Sequence, residues 1–132
     1  MATITYTVTV ATGTNQYGTG NKFYINGTVS PDLNLIEGNT YVFDQSDATN
    51  GAGGTHPLRF STTANGTHAG GTAYTTGVTT TGTPGNAGAN TTIVVASYAP
   101  TLYYYCSNHS GMGQLLIHLQ QGLLLLQQTL KH

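Results

Sequence analysis

Cys106, His109 and Met112 stand within seven residues of one another in L-Y-Y-Y-C-S-N-H-S-G-M-G, Leu102–Gly113. A thiolate, an imidazole and a thioether are soft or borderline metal donors, and this spacing puts all of them on one tight loop. Ser107, Asn108, Ser110 and Gly111 are turn formers, which lets His109 and Met112 curl back towards the sulfur. One loop cannot close a metal site alone. His56, in T-H-P-L-R-F-S, is the best candidate for a fourth ligand. Two histidines, one cysteine and a weakly held methionine form the donor set of a blue-copper electron-transfer site, so a single copper ion is the expected cofactor.

Each residue also has a plainer reading. Cys106 alone would be a buried, inert thiol, His109 a surface loop histidine and Met112 core filler; the spacing of the three outweighs these readings. A zinc site could use His56, Cys106 and His109, but its fourth ligand would have to be His68 or Asp47, and thioether suits zinc poorly. A cysteine hydrolase could take His109 as its base, but no oxyanion-hole or nucleophile-elbow pattern accompanies it. No substrate chemistry is expected, and the chain is not read as an enzyme. His68, in N-G-T-H-A-G-G, reads as a solvated loop residue; His118 and His132 receive no role.

The elements that must position these donors are strands. Thr3–Val10 alternates apolar and Thr residues, the pattern of a half-buried strand. Ala11–Asn21 reads as a polar loop, Lys22–Ile25 as a short strand, and Asn26-Gly27 as a hairpin turn. Leu33–Ile36, Thr40–Asp44, His56–Ser61, Asn90–Ala96 and Leu102–Tyr105 read as further strands, with Tyr74–Val78 as a short one inside the long irregular stretch Thr62–Ala89. Along the last ligand-bearing strand Leu102, Tyr104 and Cys106 share a face. Short strands, turn signals and no helical period predict an all-β antiparallel sandwich or barrel.

Two motifs about fifty residues apart carry a family resemblance: Y-C-S-N-H-S-G-M, and H-P-L with a preceding F-D. The first resembles the C-x-x-H-x-x-M ligand loop of cupredoxins and the second their upstream histidine segment. The similarity spans Ile4 to Gly113. It implies a Greek-key β-sandwich with His56, Cys106 and His109 as a trigonal plane of ligands, Met112 as a long axial one, and one-electron transfer to a redox partner protein. His56 rests on this resemblance more than on spacing. Pro57 departs from the family pattern, which often places there an Asn whose N–H bonds the thiolate; proline has no N–H. Asn108 stands where several such loops have proline, so its own N–H is expected to reach the sulfur. A weaker resemblance, through T-N-Q-Y-G-T-G-N-K-F-Y-I-N-G and H-P-L-R-F-S-T-T-A-N-G-T, is to cupredoxin-like modules of marine phage structural proteins. It implies the alternative role of a β-sandwich module on a virion or cell surface, with copper structural or absent.

Composition narrows the partners. Charged residues are 5% and net charge is −1, with three Lys and Arg in all. Nucleic acid and anionic membranes call for clustered cations and are not expected partners. No stretch is long enough for a membrane span. A single cysteine excludes an internal disulfide. M-A-T-I-T-Y-T-V-T-V has neither the basic start nor the apolar run of a signal peptide. The body of the domain is residues 1–113. From Gln114 the Thr/Gly/Asn composition gives way to Leu and Gln. Within this atypical 114–132 tail, Leu115, Ile117 and Leu119 alternate and could supply a last strand, and Leu123–Leu130 a short helix. One permitted back-translation of the tail reads as Thr-rich peptide in another frame, so a shifted frame is a further reading of it.

Overall fold

The computed structural model describes residues 1–119, and for 117–119 the backbone alone. The chain opens with β1 (Thr3–Asn15), whose inner half carries the expected alternation and buries Val8 and Val10. The strand does not stop there. It runs on through residues expected to form a loop, turns at Gln16-Tyr17 and returns as β2 (Gly18–Ile25), paired from Val8↔Ile25 out to Asn15↔Gly18. The outer half of this hairpin is polar on both faces, so no period-two hydrophobic signal marks it. Asn26-Gly27 then turns the chain with φ of 49° and 85°, the left-handed pair that a type I′ hairpin turn requires.

The remaining elements are β3 (Thr28–Val29), β4 (Leu33–Ile36), β5 (Thr40–Asp44), a 3-10 turn at Ala48–Asn50, β6 (Leu58–Ser61), β7 (Val78–Thr81), β8 (Asn90–Val94), β9 (Leu102–Cys106) and β10 (Gln114–Leu119). The short strand expected at Tyr74–Val78 lies instead at β7, because it is Val78–Thr81 that pairs with β8. Two sheets form: a six-stranded one ordered β3-β2-β1-β5-β8-β7 and a four-stranded one ordered β4-β10-β9-β6.

The architecture is the expected all-β sandwich, but its sheets are mixed rather than wholly antiparallel. β1 lies parallel to β5, and β4 parallel to β10. Parallel neighbours need a crossover between them. Here the chain supplies it by leaving β1 through β2, β3 and the opposite sheet's β4 before β5 returns beside β1.

One apolar cluster fills the space between the sheets. Val8, Phe23, Ile25, Tyr41, Phe43 and Ile93 face Leu35, Leu58, Phe60, Leu102, Tyr104 and Leu116 across it, and Cys106 and Met112 belong to the same cluster. Full burial of each large apolar side chain contributes about 1.5–3 kcal/mol.

Gln114–Leu119 is one of the two inner strands of the smaller sheet. Its inward face is not the one read from the sequence: Leu116 is buried and Leu115 only half-buried. Adjacent leucines leave the phase open, and the register Leu116↔Leu102 fixes it by putting Leu116 beside a residue that already points inward. The helix expected at Leu123–Leu130 and the rest of the tail lie outside the described residues. Among the described residues no helix is long and apolar enough to cross a membrane.

Candidate metal centre

Cys106 ends β9, opposite Leu58 at the start of β6. His56 lies two residues before Leu58 and therefore reaches the same end of the sandwich. A buried amide holds it there. Gln45, 1% exposed, donates from Nε2 to the His56 carbonyl (2.7 Å) and to Asn50 Oδ1 (2.9 Å), and its Oε1 accepts the Leu58 N–H (2.9 Å). Asn50 in turn donates to the Val8 carbonyl (2.8 Å), and its own carbonyl accepts the His56 N–H (3.1 Å). The backbone on both sides of the His56 imidazole is thus tied to the larger sheet.

The ligand loop is braced as firmly. The Gly111 carbonyl accepts from Lys22 Nζ and Asn15 Nδ2, both at 2.8 Å, and the Gly111 N–H donates to Asn65 Oδ1 at 2.7 Å. The Met112 carbonyl accepts the Phe23 N–H (3.0 Å) and the Ser30 hydroxyl (3.1 Å). Asn108 Nδ2 donates to the Thr55 carbonyl (3.0 Å), and the Ser107 N–H to the Pro57 carbonyl (3.1 Å), joining the two ligand segments directly.

Within this frame both imidazoles turn Nδ1 towards the sulfur. Cys106 Sγ lies 3.7 Å from His56 Nδ1 and 3.6 Å from His109 Nδ1, and the three donor atoms all lie within 4.8 Å of one another. In the metal-free protein the thiol can donate to one imidazole and accept an N–H from the other. Two donors held roughly 2.0–2.3 Å from one ion, at an angle between tetrahedral and trigonal, stand about 3.5–3.8 Å apart. The sulfur–nitrogen spacings fit that arrangement. Cys106 and His56 are buried, at 0% and 7% exposure, whereas His109 is exposed. Met112, 1% exposed, ends the loop in the same apolar cluster as Cys106.

The electrostatics favour an uncharged, metal-ready state. Burial lowers the His56 pKa, and the neighbouring His109 lowers it further. Burial raises the Cys106 thiol, while N–H bonds from the backbone of Asn108 and of His109, and the nearby Arg59 charge, pull it back down. The Asn108 amide is thus one of the groups that favour the thiolate, the role its place in the loop suggested. A cation between the three donors would replace the missing solvation of the thiolate and favour the neutral imidazoles.

The structure brings His56, Cys106 and His109 together, with Met112 nearby. Neither of the two further zinc donors considered, Asp47 and His68, joins this cluster. Asp47 is occupied by Thr49, and His68 Nε2 meets the Cys106 backbone carbonyl at 2.7 Å. His68 is exposed, as read from the sequence, yet it braces the ligand strand and packs edge-on against Tyr105. Sequence reasoning missed Gln45, Asn50 and Lys22 as supports. Nothing about a Gln in a polar loop announces that it will be buried against a ligand's backbone. Leu58 and Met112 are buried core residues at 0% and 1% exposure: Leu58 faces inward opposite Cys106, and Met112 sits where its carbonyl is held by Phe23 and Ser30.

No family model, curated protein or solved structure matches this chain. The chain is an all-β sandwich in which two histidines and a cysteine, with a methionine close by, form a cluster able to hold a metal ion.

Proposed function

We propose that the chain is a cupredoxin-like protein that holds one copper ion through His56, Cys106, His109 and Met112 and carries single electrons. The observation behind this reading is the convergence of two Nδ1 atoms on one buried sulfur, at 3.6 and 3.7 Å, in a frame braced from both sheets. Copper bound there supplies a one-electron couple. Cys106 contributes the thiolate, His56 and His109 the imidazoles, and Met112 a weaker thioether contact. The braces on His56, Gly111 and Met112 hold the donors in place whatever the charge between them, which keeps reorganisation small. His109 is the exposed donor and so offers the edge through which a redox partner exchanges electrons. All four donors are committed to the ion, so no substrate chemistry is assigned.

A second reading is supported by the surface around that edge. Ser107, Asn108 and Ser110 are exposed and neutral, and Leu58 and Met112 are buried, so among the described residues these neighbours offer a partner neither apolar surface nor charge. In this reading the domain is a module of a virion or cell-surface assembly, with a metal that braces its loops.

Adding Cu(II) to metal-free protein tests the first reading. One equivalent should bind with an intense visible thiolate-to-copper band, and Cys106→Ser should abolish the band. A protein that stays colourless ends the copper assignment. Electron exchange with a small redox protein then separates the two roles. A carrier exchanges quickly with almost no dependence on salt, whereas a structural module exchanges slowly and is found in assembled particles.

A further inference from the structure

The long segment between β6 and β8 folds back over the outer face of the smaller sheet. Ala73 bridges to Ser61, and the Tyr74 N–H donates to the Phe60 carbonyl (2.8 Å), so this segment extends the edge beyond β6. Between it and β7 lies a cavity of about 420 Å³ lined by Arg59, Tyr74, Val78, Thr80 and Tyr105, with Phe60 as part of its wall. This is within the size range of small-molecule sites and too small for a macromolecular partner.

Arg59 is the only arginine in the chain. Its Nη1 is spent on the protein, donating to the Leu58 carbonyl at 2.9 Å and Thr91 Oγ1 at 3.1 Å. No carboxylate and no other acceptor among the described residues takes Nε or Nη2. That unspent edge is the one that forks onto a carboxylate with two parallel hydrogen bonds. A half-buried guanidinium with no counter-ion among the described residues is a costly feature for a fold to carry, and an anion that brings its own apolar body would offset that cost. The surrounding Tyr74 and Tyr105 rings and the Val78 side chain suit such a body. Long irregular segments inside compact domains are uncommon unless they do something.

We infer that this cavity binds a small monocarboxylate with an aromatic or aliphatic body, the carboxylate on Arg59 Nε and Nη2 and the body among Tyr74, Tyr105 and Val78. The site is separate from the metal donors and does not depend on the copper reading.

The test titrates metal-free protein with phenylacetate and, in parallel, with the neutral phenylacetamide, following backbone and side-chain NMR signals. Phenylacetate should shift the signals of Arg59, Tyr74, Val78 and Tyr105, and phenylacetamide should bind about tenfold more weakly or worse, the loss expected for one strong charged contact. Arg59→Gln should abolish that preference. Thr80→Trp, at an exposed position on the rim, should block binding while leaving Arg59 and the fold in place. Equal binding of acid and amide would overturn the inference, as would shifts elsewhere on the surface, or none. Because the measurement uses metal-free protein, its failure says nothing about copper, and a failed copper titration says nothing about this cavity.

Discussion

Gln45→Leu should do more harm than any exposed substitution in the chain. The change removes two donors and one acceptor at a position 1% exposed. Three groups lose their partners together: the His56 carbonyl, the Leu58 N–H and Asn50 Oδ1. Each buried polar group left unsatisfied costs about 1–3 kcal/mol. The losses share one network and do not simply add. Leucine also buries extra apolar area. A net destabilisation of about 3–5 kcal/mol follows, a large share of the roughly 5–15 kcal/mol that holds a domain together. The assay is urea denaturation of metal-free protein, comparing midpoints at constant slope. Gln45→Glu adds a control, since it keeps the acceptor for Leu58 but, as a carboxylate, loses both donors. If Gln45→Leu costs less than about 1 kcal/mol, the network is not what fixes His56, and the account of a braced ligand frame fails.

Three further outcomes are expected. The metal-free protein should lose stability on both sides of neutrality. His56, lowered from its ordinary 6.5, favours folding above that pH and loses this contribution as pH falls below it. Cys106, raised from 9.0, favours folding below that pH and loses its contribution as pH rises above it. His56→Gln should flatten the acid limb and Cys106→Ser the alkaline one; unchanged limbs in thermal melts across pH would contradict these assignments. Gly66→Ala should destabilise by about 3 kcal/mol or more, since a Cβ there runs into the Tyr105 ring and φ is +66°, and a neutral effect on the denaturation midpoint would count against the packing of this loop on β9. Asn108→Pro removes the amide that lowers the Cys106 thiol, so the pH at which the metal-free thiol reacts with a disulfide reagent should rise, and an unshifted profile would show that the amide does not bond the sulfur.

Much of this protein was legible before folding because its signals are local. The spacing of Cys106, His109 and Met112 placed soft donors on one loop, Thr3–Val10 and Leu102–Tyr105 announced strands by their side-chain chemistry, and Asn26-Gly27 announced its turn through the φ > 0 that both residues tolerate. The sequence could not show that β1 and β5 lie parallel, because parallel pairing is decided by the route of the chain through the other sheet. Nor could it fix the face of β10, where consecutive leucines make either phase plausible and only pairing with Leu102 chooses. Burial of Leu58 and Met112, the hold of Gln45 on His56 and the open edge of Arg59 were equally invisible. Each depends on partners distant in sequence, so the donor set belongs to the sequence, whereas its support, its exposed edge and the neighbouring cavity arise only when the two sheets close on one another.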